Sequence, residues 1–372
     1  MATRTDLQGD PGVGPPGGAM PDELHPRHIV VRVIEIVAII AIVAIAITAL
    51  PGLDQVKDRL GDADPVWIVA IALSEVVSCA GYMLVFRDTF CSQMSWGLSY
   101  DIAMSELAAN SLLPTGGAGG LALGVWALRE AGMPTAHVAR RTVAFFVVTS
   151  AANFFALILV GIGAFLGIVA GTRSFALTLV PALITAFGAL LAGLSPKLLR
   201  ALGDRGTDTA GESAGGRVRR TLQAWLVAAA DGVDQAIALL RAHSFGVVVG
   251  SFAYMAFDIA ALGFGFAAVG HVPTFSALVL GYLIGQLGNL VPLPGGIGGT
   301  EGALVGVFAL YGINVSDAAA AVLLYRLFQL TVPALLGAPA FVFLRRRLMR
   351  NDKPAAGCAG LGADAAKQPT RG

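Results

Sequence analysis

The sequence predicts an all-α polytopic membrane protein with about six full transmembrane helices and two inverted, re-entrant (broken) helical hairpins. Three observations carry this expectation. Of 372 residues, 56% are hydrophobic and only 13% charged, and the mean hydropathy is +0.74. A soluble domain of this size has no polar residues to spare for such a surface, so the bilayer must act as solvent. Apolar runs of membrane length recur along the chain. Two further apolar segments are each interrupted by proline and a cluster of glycines.

Taking the elements in order, residues 1–26 are rich in Gly, Pro and Asp and without apolar periodicity, as are residues 351–372, which are rich in Ala and Gly. Both tails are expected to be disordered. Ile29 to Leu50 is an apolar run of about 22 residues. That exceeds the short apolar core of a cleaved signal and reads as a retained anchor. Further spans are expected at Val66–Phe86, Thr142–Ala170, Phe175–Leu194, Phe245–Val269 and Ala318–Leu344. The transmembrane unit runs over 29–347, with an internal repeat at about 66–170 and 245–345 and one sizeable loop at 195–244.

Charge placement gives the sidedness, because Lys and Arg collect in short cytoplasmic segments. The loop carrying Lys197, Arg200, Arg205, Arg217, Arg219, Arg220 and Arg241 is placed inside, as is the tail with Arg345, Arg346, Arg347, Arg350 and Lys353. Both termini are then cytoplasmic. Pro51 to Pro65, with four aspartates against one lysine and one arginine, falls outside. Arg129, Arg140 and Arg141 fall inside.

The interrupted segments, about Trp96–Leu128 and Phe275–Tyr311, resemble each other. Asn110 to Gly120 reads NSLLPTGGAGG and Asn289 to Gly299 reads NLVPLPGGIGG, with the glycine cluster at the same offset from asparagine. Gly132 and Gly312 follow about twelve residues on, each ahead of a full-length span. Proline and paired glycines break helices, and backbone freed at membrane depth must be buried in protein or line a cavity. By the charge argument the first hairpin is entered from the cytoplasm and the second from outside. They are inverted copies, a plan that in transporters places the site at the repeat interface.

The stretch GNLVPLPGGIGGTEGAL, followed by AVLLYRLFQL, resembles the signature of the lysylphosphatidylglycerol synthase transmembrane-region family, or flippase-like domain proteins. The resemblance covers roughly residues 30–347 and is most specific at the second glycine cluster, Glu301 and Arg326. It implies a polytopic inner-membrane domain associated, in multidomain aminoacyl-phospholipid synthases, with moving the modified lipid between leaflets. Some stand-alone members are linked to glycolipid or hopanoid export. The largest loop here holds about fifty residues, too few for a soluble aminoacyl-transferase domain, so lipid synthesis is not expected. The first repeat departs from the family pattern, since Leu121 to Leu128 carry no charge where a charged residue often follows the glycines.

Candidate site residues cluster in the second repeat. Arg326 lies about eight residues into its span, some 12 Å deep at a rise of about 1.5 Å per residue. An arginine at the helix centre costs about 2.5 to 3.5 kcal/mol even on insertion scales, so it needs a partner, and Glu301 at the start of a half-helix is the expected one. The pair either fastens hairpin to span or offers Arg326 to a lipid phosphate. Gln329 shares the Arg326 face. Backbone N–H groups from Gly295 through Gly296, Gly298 and Gly299 to Thr300 add anion affinity at a half-helix N-terminus. Asn289, Gln286 and Asn110 sit at the breaks, able to meet a headgroup or to cap freed backbone. Asp258 and Glu75, near mid-span, and Glu106 with Asp101 in the first hairpin, are candidates for ion or proton coupling. Arg32 and Glu35 are expected to pair locally.

Other chemistries find no footing. Cys79, Cys91 and Cys358 are scattered and expected to be inert and unpaired, and His25, His28, His137, His243 and His271 lie near segment ends, so no metal and no cofactor is predicted. No nucleophile elbow, phosphate-cradling P-loop, HExxH or dinucleotide fingerprint is present, so neither enzymatic activity nor nucleotide hydrolysis is indicated. A net charge of +1 points to no nucleic-acid partner. The expected function is translocation of an anionic or glycosylated lipid, its partner being a membrane phospholipid or glycolipid. The alternative is a non-transporting scaffold for a lipid-modifying enzyme or glycosyltransferase.

Overall fold

The computed structural model describes residues 58, 61, 64–112, 118–204, 230–241, 245–290 and 299–349. The anchor expected at Ile29–Leu50, both tails and the centre of the 195–244 loop lie outside them. Helix α1 spans Pro65–Phe90. Asp64 caps it, its Oδ1 accepting from Val66 N at 2.9 Å, and Pro65 occupies the first position, where its missing N–H costs nothing. The first broken hairpin follows as α2 (Trp96–Leu112) and α3 (Ala118–Glu130). Next come α4 (Thr135–Phe165), a π turn at Phe175–Leu179 and α5 (Val180–Asp204).

The second half repeats the order: α6 (Phe245–Ala268), then α7 (Phe275–Gly285) with a 3-10 turn at Gln286–Leu290, α8 (Gly299–Leu310) and α9 (Val315–Met349). Among the described residues there is no strand, and α1, α4, α6 and α9 are long and apolar enough to cross a membrane. Phe175–Leu191, Phe275–Gly288 and Gly299–Leu310 are shorter apolar helices. Two expected spans shift. The one placed at Thr142–Ala170 begins at Thr135 and ends at Phe165, because Gly167 takes φ 76° and turns the chain. Phe175–Leu194 opens as a π turn, and its apolar helical part is only just of spanning length. Cys79 is free and buried, but Cys91 is disulfide-bonded, correcting the expectation that the cysteines are unpaired.

Equivalent turns close the two hairpins, 180 residues apart where the asparagines at the breaks are 179 apart. Gly132 (φ 92°) and Gly312 (φ 83°) end α3 and α8 in the left-handed region. Met133 N donates to Leu128 O as Ile313 N donates to Phe308 O, and Gly132 N to Arg129 O as Gly312 N to Ala309 O. This is the Schellman closure, and it sets an offset of 180 residues between the halves, Gly132 matching Gly312.

Burial is the reverse of a soluble protein's. Glu75, Asp101, Glu106 and Asp258 are buried, whereas Leu73, Phe155, Ile184 and Phe187 are exposed. An apolar solvent accounts for both halves of that pattern. Two apolar cores result. One joins Tyr82, Phe86, Ile102 and Phe145 with Phe341 and Leu344 of α9, and the other joins Leu262, Phe266, Leu280, Phe308 and Tyr325. The halves meet where α1 crosses α6. A Cβ on Gly81 would stand 2.6 Å from Tyr254 N, and one on Gly250 would stand 2.6 Å from Val85 N. Any side chain larger than hydrogen would force the helices apart, the close-approach logic of small residues in membranes.

Candidate functional site

The α1–α6 crossing buries Glu75 and Asp258, from opposite halves, facing each other. Asp258 is the hub. Its Oδ1 accepts from Tyr325 Oη at 2.9 Å, its Oδ2 from Tyr282 Oη, and both oxygens lie 3.3–3.4 Å from Gln329 Nε2. On α9, Tyr325 and Gln329 are four residues apart and share a face, so the amide also bonds the Tyr325 hydroxyl. The other end of the amide accepts from Arg326 Nη1, and Arg326 Nε donates to Glu301 Oε1 at 2.7 Å. One continuous polar chain thus runs Glu75–Asp258–Gln329–Arg326–Glu301 across α1, α6, α8 and α9, with Tyr282 contributed by α7.

Burial is graded along that chain. Glu75 and Asp258 are 2% and 6% exposed, while the side chains of Arg326 and Glu301 reach 14% and 17%. The ion pair is therefore the end that opens to the surroundings. Its interaction is strong at short range, of order 4 kcal/mol at about 4 Å for an effective dielectric near 20. Among the described residues Arg326 Nη2 has no protein acceptor, so the guanidinium keeps donors for a ligand.

The remaining expected residues fall into three places. Glu301 lies in the first turn of α8, so the half-helix N-terminus already faces a carboxylate, and that anion competes with any other for the helix dipole. Gly299 begins the same helix. Gly295, Gly296 and Gly298 lie outside the described residues, and so does the side chain of Asn289, whose backbone is in the 3-10 turn. Asn110 Oδ1 accepts from Gly120 N at 3.0 Å, bridging the first break as a backbone cap and leaving only its amide nitrogen for a headgroup.

Glu106 is not part of the polar chain. Its Oε2 is buried without a partner beside a cavity of about 10 Å³. Thr142 Oγ1, on the same cavity, is likewise unpartnered. That volume is about one water molecule's space. Asp101 instead meets Arg347 at 2.9 Å, tying the end of α9 to α2. Sequence reasoning missed Tyr282, Tyr325 and Tyr82. Tyr325 is the neighbour of Arg326, and a phenol at that depth needs an acceptor, which was the available signal.

Fold and site together define a polytopic, all-helical membrane protein with an internally repeated, broken-helix core. The chain belongs to the family described as the lysylphosphatidylglycerol synthase TM region, whose model matches residues 33–337. It is also 34% identical, over 119 residues, to a UPF0104 membrane protein of Methanothermobacter thermautotrophicus (strain Delta H). That match spans 32% of this chain and 34% of the relative, about a third of its length. No solved structure matches the chain.

Proposed function

We propose that the protein moves a lipid with an anionic or glycosylated headgroup between the leaflets of the cell (inner) membrane, recognising it at Arg326. The observation that carries this reading is the partly open Arg326–Glu301 pair, set on a membrane helix with guanidinium donors to spare. Planar, bidentate donors suit a phosphate oxygen pair better than any other group in the site. Hairpin arms of 17, 13, 11 and 12 residues support re-entrance, being about 17 to 26 Å long against a hydrocarbon core of about 30 Å. Family membership supports a lipid-related membrane role, with both termini cytoplasmic on the charge argument. The role is transport, with no catalytic step assigned to any residue.

Leaflet exchange of labelled phospholipids in vesicles reconstituted with the full chain tests it. Exchange should rise over protein-free vesicles and fall at least tenfold in Arg326→Ala. If neither happens, and an enzyme of lipid or glycan modification copurifies stably with both Arg326→Ala and Glu301→Ala, the scaffold reading takes its place.

A further inference from the structure

We infer that Glu75 and Asp258 form a proton-holding carboxyl pair that couples binding of an anionic headgroup at Arg326 to uptake of one proton. The first part stands on geometry alone. Two carboxylates buried face to face cannot both stay ionised, and the register that sets Gly81 against Tyr254 and bonds Ser78 Oγ to Tyr254 O at 3.0 Å sets buried Glu75 against buried Asp258 inside the repeat interface. Their surroundings assign that proton. Tyr282, Tyr325 and Gln329 all donate toward Asp258, which suits a carboxylate, an acceptor only. Among the described residues Glu75 has no such donors, and its Oε1 is buried without a partner. Glu75 is the acid and Asp258 the anion.

The second part follows from counting charge. Arg326 and Glu301 cancel, so the cluster holds one net negative charge, on Asp258. An anionic headgroup seated on Arg326 adds another, and two uncompensated charges in a buried site are far costlier than one. A proton taken onto the pair restores the balance. The groups facing the pair are few: Cys79 of α1, Tyr254 of α6, Tyr282 of α7, Tyr325 and Arg326 of α9, with Glu301 of α8 behind the arginine. Glu106 of α2 approaches from beyond Tyr254, and α4 carries no titratable residue from Val143 to Phe165. Of these, the pair and Glu301 are placed to take up a proton as Arg326 gains an anion, and substitution of the pair separates the two. Acidic lipid and proton would then move together.

The coupling rests on the translocator reading, whereas the pair does not, and two measurements separate them. Infrared difference spectroscopy of the purified full chain should show a protonated-carboxyl C=O band at neutral pH that disappears in Glu75→Gln, a variant that keeps the hydrogen-bonding shape of the acid. An unchanged band in that variant overturns the pair. Binding to nanodiscs of phosphatidylglycerol, against phosphatidylcholine, should tighten as pH falls, by up to about tenfold per unit for one linked proton. In Glu75→Gln and in Asp258→Asn the slope should flatten, and a slope kept in both variants puts the proton on Glu301 and overturns the coupling through the pair. Binding that is tight but independent of pH overturns the coupling and leaves the translocator reading standing. No preference for the anionic lipid at any pH overturns both.

Discussion

In the first hairpin the glycines lie on the second arm, where Gly120 and Gly124 press on Asn110 and Glu106; in the second they lie on the first arm, where Gly281, Gly285 and Gly288 press on Phe308, Leu304 and Ala303. The backbone plan is the same and the contacts are exchanged between arms. Side-chain chemistry diverges further. At the 180-residue offset set by Gly132 and Gly312, Leu121 stands where the second half has Glu301 and Phe146 where it has Arg326. Leu121 and Phe146 both line the small cavity beside Glu106. The first half therefore has a buried carboxyl with an unpartnered oxygen and no ion pair at the positions where the second has Glu301 and Arg326. A repeat can keep its helix geometry while only one copy carries a charged site.

The largest expected effect breaks that difference. Glu301→Ala leaves Arg326 without its carboxylate and should destabilise by about 3 to 5 kcal/mol. The double change Glu301→Leu with Arg326→Phe, which copies the first half's residues, should melt close to wild type in detergent yet lose lipid exchange. Melting as low as Glu301→Ala would show the pair to be needed for folding. Next, Gly285→Ala puts a methyl against the Leu304 side chain and should cost about 1 to 3 kcal/mol, read as a lowered melting temperature. Smaller and equal losses, about 1 to 2 kcal/mol, are expected for Gly132→Ala and Gly312→Ala, since both positions are left-handed with open space around the Cα. Unequal losses would mean the two turns are not equivalent. Smallest is Thr142→Val, which removes an unpartnered hydroxyl from the first-half cavity and should leave stability within about 1 kcal/mol or raise it slightly.

Much of the second half was legible in the sequence, because its chemistry is local. The glycine cluster marks the break, and Arg326 with Gln329 three residues on gives one helix face. An arginine at that depth demands an acid, and Glu301 is the acid nearest the break. What was not legible depends on contacts distant in sequence. Nothing in the sequence near Glu75 says that it meets Asp258, because that meeting follows from backbone contact at Gly81 and Gly250. Tyr282 reaches Asp258 only once α7 folds back. In sequence Asn110 fits a headgroup ligand and a cap equally, and only the position of Gly120 across the break shows its oxygen occupied.

Helix α9 is held at both ends by different bodies. Ala318 to Tyr325 are set in the second core, while Ala340, Phe341 and Leu344 are set in the first. Pro333 and Pro339 lie inside the helix between or beside those anchors, and Pro333 has no N–H to offer the carbonyl of Gln329. Like a beam clamped at each end with a notch cut in the middle, this helix concentrates any relative tilt of the two halves into a few residues, about two turns from Arg326. We predict that Pro333→Ala stiffens the beam, narrowing the distance distribution between spin labels on its two ends; an unchanged distribution would place the flexure elsewhere.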